Sequence, residues 1–315
     1  MVHPLRYEGG RCAASGGCNP VHREVIPATR TGRLEDGTPC ETVDLADLDK
    51  LHETLDRIAP DLIVNAAAYT AVDRAEDEAD LAQRINGDAV GVLGAWAARH
   101  GARVVHYSTD YVFDGAGARP YRETDPTHPL GVYGSSKLAG EIALRESGAR
   151  HLIFRTAWVY ASRGKNFLLT MLRLGGERDE LRVVDDQVGA PTPALLIADV
   201  TAQAVARWRG VEGAASTALD GTCHLVASGQ TSWCGFARAI FERAQRAGLL
   251  ERIPDVQAIR TVDYPTRARR PAYSVLDTGK LCSTFDIALP DWQVELDGVI
   301  DELAHLRDPL SSGNM

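Results

Sequence analysis

The sequence predicts a doubly wound α/β fold: a parallel sheet with helices on both faces, plus a smaller α/β lobe. Three apolar runs, Leu62-Ile63-Val64, Arg103-Val104-Val105-His106-Tyr107 and His151-Leu152-Ile153-Phe154, have the length and β-branched content of buried parallel strands. Each ends in small or polar residues, Asn65-Ala66-Ala67-Ala68, Ser108-Thr109-Asp110 and Arg155-Thr156-Ala157. Those positions lie at the carboxyl ends of the strands, where open α/β sheets bind ligands. Segments of helical periodicity separate the runs, as a parallel sheet requires of its crossovers.

The beginning of the chain departs from this pattern. A dinucleotide-binding unit opens with an apolar strand, a Gly-rich turn and a helix whose N-terminus holds the diphosphate. Residues 1–23 show neither strand nor turn: Gly9-Gly10 and Gly16-Gly17 have the wrong spacing, and Pro20 falls where the helix should run. Two readings stay open, a segment read in a shifted frame or a divergent but folded start. Val25 to Arg30 reads as the second strand. Arg30 and Arg33 follow it where an NAD-specific enzyme places an acid for the ribose 2′-hydroxyl, which leans towards NADPH or towards tolerance of both cofactors. A solvated arginine is the commoner explanation of either residue alone. Asp44 can cap a helix patterned by Leu45, Leu48, Leu51, Leu55 and Ile58.

After the strand at 61–64, the three alanines let a cofactor approach the backbone, although tight helix packing would select them too. The acidic run Asp73, Glu76, Asp77, Glu78 and Asp80 reads as a solvated helix start, and no metal is assigned to it. A long packed helix runs through Asn86, Val90, Leu93 and Trp96. Residues 114–130, with Pro120, Pro126 and Pro129, form a loop long enough to be functional. Tyr133 and Lys137 then stand four apart at the start of a helix, which puts a phenol and an ammonium on one face. Such a pair supplies a proton donor or acceptor if the charge lowers the phenol's pKa. The spacing alone fits a surface helix equally well. In the same helix Gly134 and Gly140 cost roughly 1 kcal/mol each against Ala, a cost that close packing against the cofactor or the sheet would explain. Glu141 and Arg145 read as an exposed i,i+4 pair. Further on, 181–184 is a short strand, 186–192 a turn, 194–208 a helix, 222–227 a strand and 232–246 a helix. Arg267, Arg269 and Arg270 sit in a Pro-bounded loop that either clamps a diphosphate or is simply solvated. A last amphipathic helix covers 292–306.

Composition narrows the function classes. The 315 residues are 44% hydrophobic and 24% charged, with a formal charge of −9 and no Lys/Arg run, which argues against nucleic acid as a partner. No apolar run approaches the roughly 20 residues that span a bilayer, and no signal-peptide core is visible. No membrane association and a cytoplasmic location are therefore expected. The six cysteines lack metal-ligand or C-x-x-C spacing and read as free thiols.

The stretches STDYVFDG (108–115), PYRETD (120–125), YGSSKLAGE (133–141), RTAWVY (155–160), DQVGAPT (186–192) and RRPAYSVLD (269–277) resemble the extended short-chain dehydrogenase/reductase family. Within it they look most like the branch that reduces dTDP-4-dehydrorhamnose. The resemblance implies a Rossmann-like nucleotide domain of residues 1–158 plus about 192–230. It also implies a substrate lobe of about 159–191 plus 231–308 and a tail at 309–315. It implies NADPH or NADH as cofactor and a nucleotide-sugar substrate reduced at its C4 keto group. Catalysis would fall to Thr109, Tyr133 and Lys137. Cofactor contacts would come from Arg30, Asp44, Leu45, Ala66, Ala67, Thr70, Tyr133 and Lys137. Sugar contacts would come from Thr109, Asp110, Tyr111, Trp158 and Arg270. Some relatives bind Mg2+ between subunits through glutamates, but Leu195 stands where one of these is expected, so no metal is predicted. A homodimer is allowed, with no interface visible. Tyr273 replaces an Asn common among relatives. Another nucleotide-sugar epimerase or dehydratase remains an alternative, though Tyr111 stands where a dehydratase would place an acid. A non-catalytic regulatory subunit resembling that of methionine adenosyltransferase, and an inactive remnant, are the others.

Overall fold

The computed structural model describes residues 24–211 and 217–307, so the expectations for the first 23 residues and for the tail lie outside the described residues. In chain order, β1 (Ala28–Thr29) pairs in parallel with β2 (Glu41–Thr42), and α1 (Leu48–Ile58) and β3 (Leu62–Asn65) follow. Short helices α2 (Val72–Ala75) and α3 (Ala79–Gln83) lead through a π-helical turn, Arg84–Asp88, into α4 (Ala89–His100). Then come β4 (Arg103–Thr109), a 3₁₀ turn at Asp110–Val112, α5 (Val132–Glu146) and β5 (Arg150–Thr156). The chain continues with β6 (Val159–Tyr160), α6 (Phe167–Glu177), β7 (Glu180–Val184), β8 (Val188–Gly189), β9 (Thr192–Pro193) and α7 (Ala194–Gly210). It ends with β10 (Gly221–His224), β11 (Thr231–Ser232), α8 (Trp233–Arg246), β12 (Asp255–Ile259), α9 (Gly279–Phe285) and α10 (Trp292–Arg307).

The central sheet is parallel throughout, in the order β10-β5-β4-β3. Its two faces follow the period-2 rule of a strand. Val104 and Ile153 pack with Leu51, Leu93, Trp96 and Leu144 of α1, α4 and α5. Val105, Leu152 and Phe154 pack on the other side with Leu168, Ile197, Val200, Phe236 and Leu296. That second cluster extends without a break into the smaller elements, where β7 pairs in parallel with β12.

Several local expectations are corrected. Among the described residues the strand foreseen over 25–30 pairs at 28 and 29, with the two residues of β2, and Val25 and Ile26 are exposed. Asp44 does not cap α1. The helix starts later, Asp47 accepts from the Lys50 N–H at 3.2 Å, and Asp44 closes a turn by accepting from the Ala46 N–H. The strand at 255–259 had no sequence signal, since its partner β7 lies some 70 residues away.

The glycines of α5 are closely packed, but against the Tyr111 turn and the Asn86 backbone rather than against the sheet. A Cβ on Gly134 would stand 2.2 Å from the Tyr111 carbonyl oxygen, and one on Gly140 would stand 2.1 Å from that of Asn86. Glu141 does pair with Arg145, whose Nη1 donates to Oε2 at 3.0 Å as the i,i+4 spacing predicts, but it is not exposed. It is fully buried and holds the buried Arg155 through two hydrogen bonds, Nε to Oε1 at 2.9 Å and Nη2 to Oε2 at 2.7 Å. The sheet register explains the difference: β5 brings Arg155 beneath α5, a contact that helical spacing alone does not reveal.

Candidate active site

Strand β4 and helix α5 build the site. β4 ends at Thr109, whose side chain accepts from the Tyr111 N–H and so starts the 3₁₀ turn carrying Asp110 and Tyr111. The N-terminus of α5 is fixed from outside, since Glu76 accepts from the Val132 N–H at 2.9 Å. The tight contact of Gly134 with Tyr111 then sets Tyr133 over the end of β4. The rings of Tyr111 and Tyr133 meet edge to face with centroids 5.6 Å apart. The Thr109 hydroxyl gives its hydrogen to Asp110 Oδ1 at 3.0 Å. The fold thus brings together Thr109, Asp110, Tyr111, Tyr133 and Lys137, five of the residues singled out in the sequence.

The electrostatics differ from the simple expectation. Lys137 does not point its ammonium at Tyr133. Its Nζ donates to the Tyr107 carbonyl at 2.6 Å and lies 3.4 Å from His106 Nε2. Burial pushes the Lys137 ammonium down to about 8. Burial also pushes the Tyr133 phenol up to about 12, against an opposing contact from Thr109. The phenol is therefore protonated at neutral pH, which is the form a reduction needs. Burial raises the Asp110 carboxyl to about 6, with Ser274 and Thr109 acting in the opposite direction, and its Oδ2 has no hydrogen-bond partner among the described residues.

Other predicted residues fall around this centre. Ala66, Ala67 and Thr70 lie in the loop after β3, the two alanines half-buried and Thr70 exposed. Asn86 holds that loop, accepting from the Tyr69 N–H and donating to the Tyr69 carbonyl and to Ser136 Oγ. Arg30 is exposed beyond β1, and Asp44 and Leu45 are half-buried beyond β2.

Arg270 lies beside the Tyr111 hydroxyl but is engaged by Asp73, Nη2 to Oδ2 at 2.7 Å. The Ala268 N–H donates to the other Asp73 oxygen, and Arg267 pairs with Asp77. This ionic strap closes the segment over Tyr133, leaving a space of about 10 Å³ lined by Tyr111, Tyr133, Ala268 and Pro271, about one water's worth.

Trp158, at φ +48°, stacks on Trp233 with centroids 3.6 Å apart and lies against Gly189, where a Cβ would meet the indole at 2.5 Å. Trp233, Asp73 and His106 were not foreseen, because each acts through a partner distant in sequence. Leu195 is exposed on the first turn of α7, and no cluster of three metal-ligating side chains occurs among the described residues. No helix of the described residues is long and apolar enough to cross a membrane.

Comparison with known proteins agrees with this geometry. The family described as RmlD substrate binding domain matches residues 16–305. A dTDP-4-dehydrorhamnose reductase of Burkholderia thailandensis is 53% identical over 256 residues, 79% of this chain and 85% of that protein. The reductase of Shigella flexneri is 50% identical over 260 residues, 82% and 85% of the two chains. Among solved structures, dTDP-4-dehydrorhamnose reductase from Bacillus anthracis in complex with NADP superposes with a TM-score of 0.75. It is 33% identical, with 82% of this chain and 87% of that one covered.

Proposed function

The chain belongs to the RmlD substrate binding domain family, and from that premise we propose that it reduces the C4 keto group of dTDP-4-dehydro-β-L-rhamnose to dTDP-β-L-rhamnose with NADPH or NADH. The observation that carries this reading is the placement of Tyr133, half-buried at the end of β4, beside Thr109 and one helical turn from the buried ammonium of Lys137.

The described residues fit the two ends of a nicotinamide dinucleotide. At the nicotinamide ribose, Lys137 has a donor left after its bonds to Tyr107 and His106. At the adenosine, Asp44 and Leu45 border an open edge beyond β2, and the exposed Arg30 suits a 2′-phosphate, which favours NADPH. Between them the loop of Ala66, Ala67 and Thr70 offers backbone without bulky side chains. The segment where a diphosphate cradle is expected lies outside the described residues. When bound, the dinucleotide supplies the hydride.

The chain's own residues handle the proton. Tyr133 keeps its hydrogen at neutral pH and gives it to the oxygen at C4 as negative charge develops there, an alkoxide being a stronger base than even a raised phenolate. Thr109 turns its hydroxyl from Asp110 to the same oxygen and stabilises the charge. Lys137 stabilises the phenolate left behind, a role its positive charge fills once water is excluded. Asp110, Tyr111 and Trp158 orient the sugar. Arg270 exchanges Asp73 for the diphosphate as the strap opens, since the closed space holds no more than a water.

The test is consumption of NADPH by the purified chain with dTDP-4-dehydro-L-rhamnose, with Tyr133→Phe alongside. The expected result is turnover in the wild type and a loss of about 10²–10⁴-fold in the variant. Because the Lys137 ammonium loses its proton near pH 8, turnover also falls as the pH rises past about 8. A Tyr133→Phe enzyme with full activity would refute the assignment.

A further inference from the structure

Beneath the reacting end of the site lies an imidazole that the mechanism above does not use. His106 sits in the middle of β4, fully buried, between the Asn65 and Ile153 positions of the neighbouring strands. Its Nε2 lies 3.4 Å from Lys137 Nζ, and its Nδ1 lies 3.1 Å from Asn65 Nδ2. A core position of this kind is filled more cheaply by an apolar side chain, since a buried polar group costs stability unless it is hydrogen-bonded. Here the imidazole has a partner on each nitrogen, and one partner is the ammonium of the site.

We infer that His106, backed by Asn65, is a positioning residue for Lys137: its Nε2 lone pair takes one of the three ammonium hydrogens from below. The Tyr107 carbonyl takes a second at 2.6 Å. One N–H is left, and it can only face the site. The same contact fixes the tautomer. An N–H on Nε2 would point at a cation, so the hydrogen sits on Nδ1; this requires the Asn65 amide to be turned over from the placement that sets its Nδ2 at 3.1 Å, so that its oxygen accepts. Burial, and then the Lys137 charge, push the imidazole well below its ordinary pKa, so it stays a neutral acceptor.

Among the described residues, the titratable and charged groups around Lys137 are Tyr133 and Glu141 on α5, and His106 and Tyr107 on β4. Glu141 is engaged by Arg155 from β5, so among these His106 is the neutral side-chain acceptor left for the ammonium. The role in catalysis rests on the proposed reductase reading, whereas the hydrogen bond itself does not.

The chain has four lysines, Lys50, Lys137, Lys165 and Lys280, which makes the ammonium directly observable. We would follow ¹³Cε/¹⁵Nζ-labelled lysine by NMR across pH in the full chain, in His106→Phe and in His106→Gln. The expected result is a Lys137 midpoint about one pH unit lower in the Phe variant, a roughly tenfold weaker hold on the proton. The Gln variant, whose amide oxygen can replace Nε2, restores at least half of that change. The alkaline limb of kcat/KM moves with the midpoint in each variant. Long-range ¹H–¹⁵N spectra of the unaltered protein supply a check that needs no variant: the hydrogen is expected on Nδ1 of His106. A Lys137 midpoint unmoved in His106→Phe, a Gln variant indistinguishable from the Phe variant, or an Nε2–H tautomer would each overturn the inference. Absence of turnover in the unaltered chain would count against the reductase reading alone, because the NMR readings do not depend on it.

Discussion

Lys137 and Glu141 lie one turn apart on α5, both buried, and the protein treats their charges in opposite ways. Burial alone would push the Glu141 carboxyl up, but the Arg155 guanidinium, with help from Ser108 and Arg145, holds it below the usual carboxylate range. Lys137 has no carboxylate bonded to it. It has a backbone carbonyl and a neutral imidazole, and burial pushes it down to about 8. A compensated charge locks the helix to the sheet. An uncompensated one is held ready for a ligand, and perturbed groups of this kind cluster at functional sites. Asp110 belongs with Lys137 in this respect: it is buried, its second oxygen has no hydrogen-bond partner among the described residues, and its carboxyl is raised to about 6.

The largest effect expected from this contrast is at the compensated charge. Glu141→Gln leaves Arg155 buried without a counter-charge and should cost about 3–5 kcal/mol, read as a lower urea midpoint. A loss below about 1 kcal/mol would mean that the pair does not lock α5.

A smaller effect of opposite sign is expected at Asp110. Its folded pKa lies above its unfolded value of 3.8, so the ionised form is disfavoured in the folded state. The cost is full above about pH 6 and disappears as the pH falls through 6 to below 4. Asp110→Asn should therefore stabilise the fold at pH 8 by up to about 3 kcal/mol, a gain that shrinks towards pH 4, while turnover falls. Equal stability of the two proteins at pH 8 would remove Asp110 from the comparison.

How much of this was legible beforehand follows from the range of the interactions. Tyr133 and Lys137 were found because a four-residue spacing is local to one helix, and Thr109-Asp110 because a strand end is marked by its own composition. Gly134 and Gly140 were readable as costs that only close packing explains. The burial of Glu141 was not, because Arg155 arrives from another strand. Nor was the capture of Arg270 by Asp73, nearly 200 residues apart, or the stacking of Trp158 on Trp233. Asp44 was read as the cap of α1 because it precedes an apolar period; the helix starts only at Leu48, which makes Asp47 the cap.

The strap over Tyr133 sharpens the contrast from the outside. Arg270 and Asp73 are partly exposed, so their pair is worth no more than about 1 kcal/mol. Asp73→Asn should ease opening and shift the apparent affinity for the nucleotide sugar by at most about fivefold, with a flatter dependence on salt. An unchanged salt dependence would show that the pair is not broken on binding.

The measurement that bears most directly on the two charges is urea unfolding of Lys137→Met at pH 7, with turnover measured on the same preparation. Because the ammonium is disfavoured in the folded state below about pH 8, the account predicts a midpoint equal to or above that of the unaltered protein, together with loss of turnover. A midpoint lowered as far as that of Glu141→Gln would contradict it, and would make Lys137 a structural charge like its neighbour.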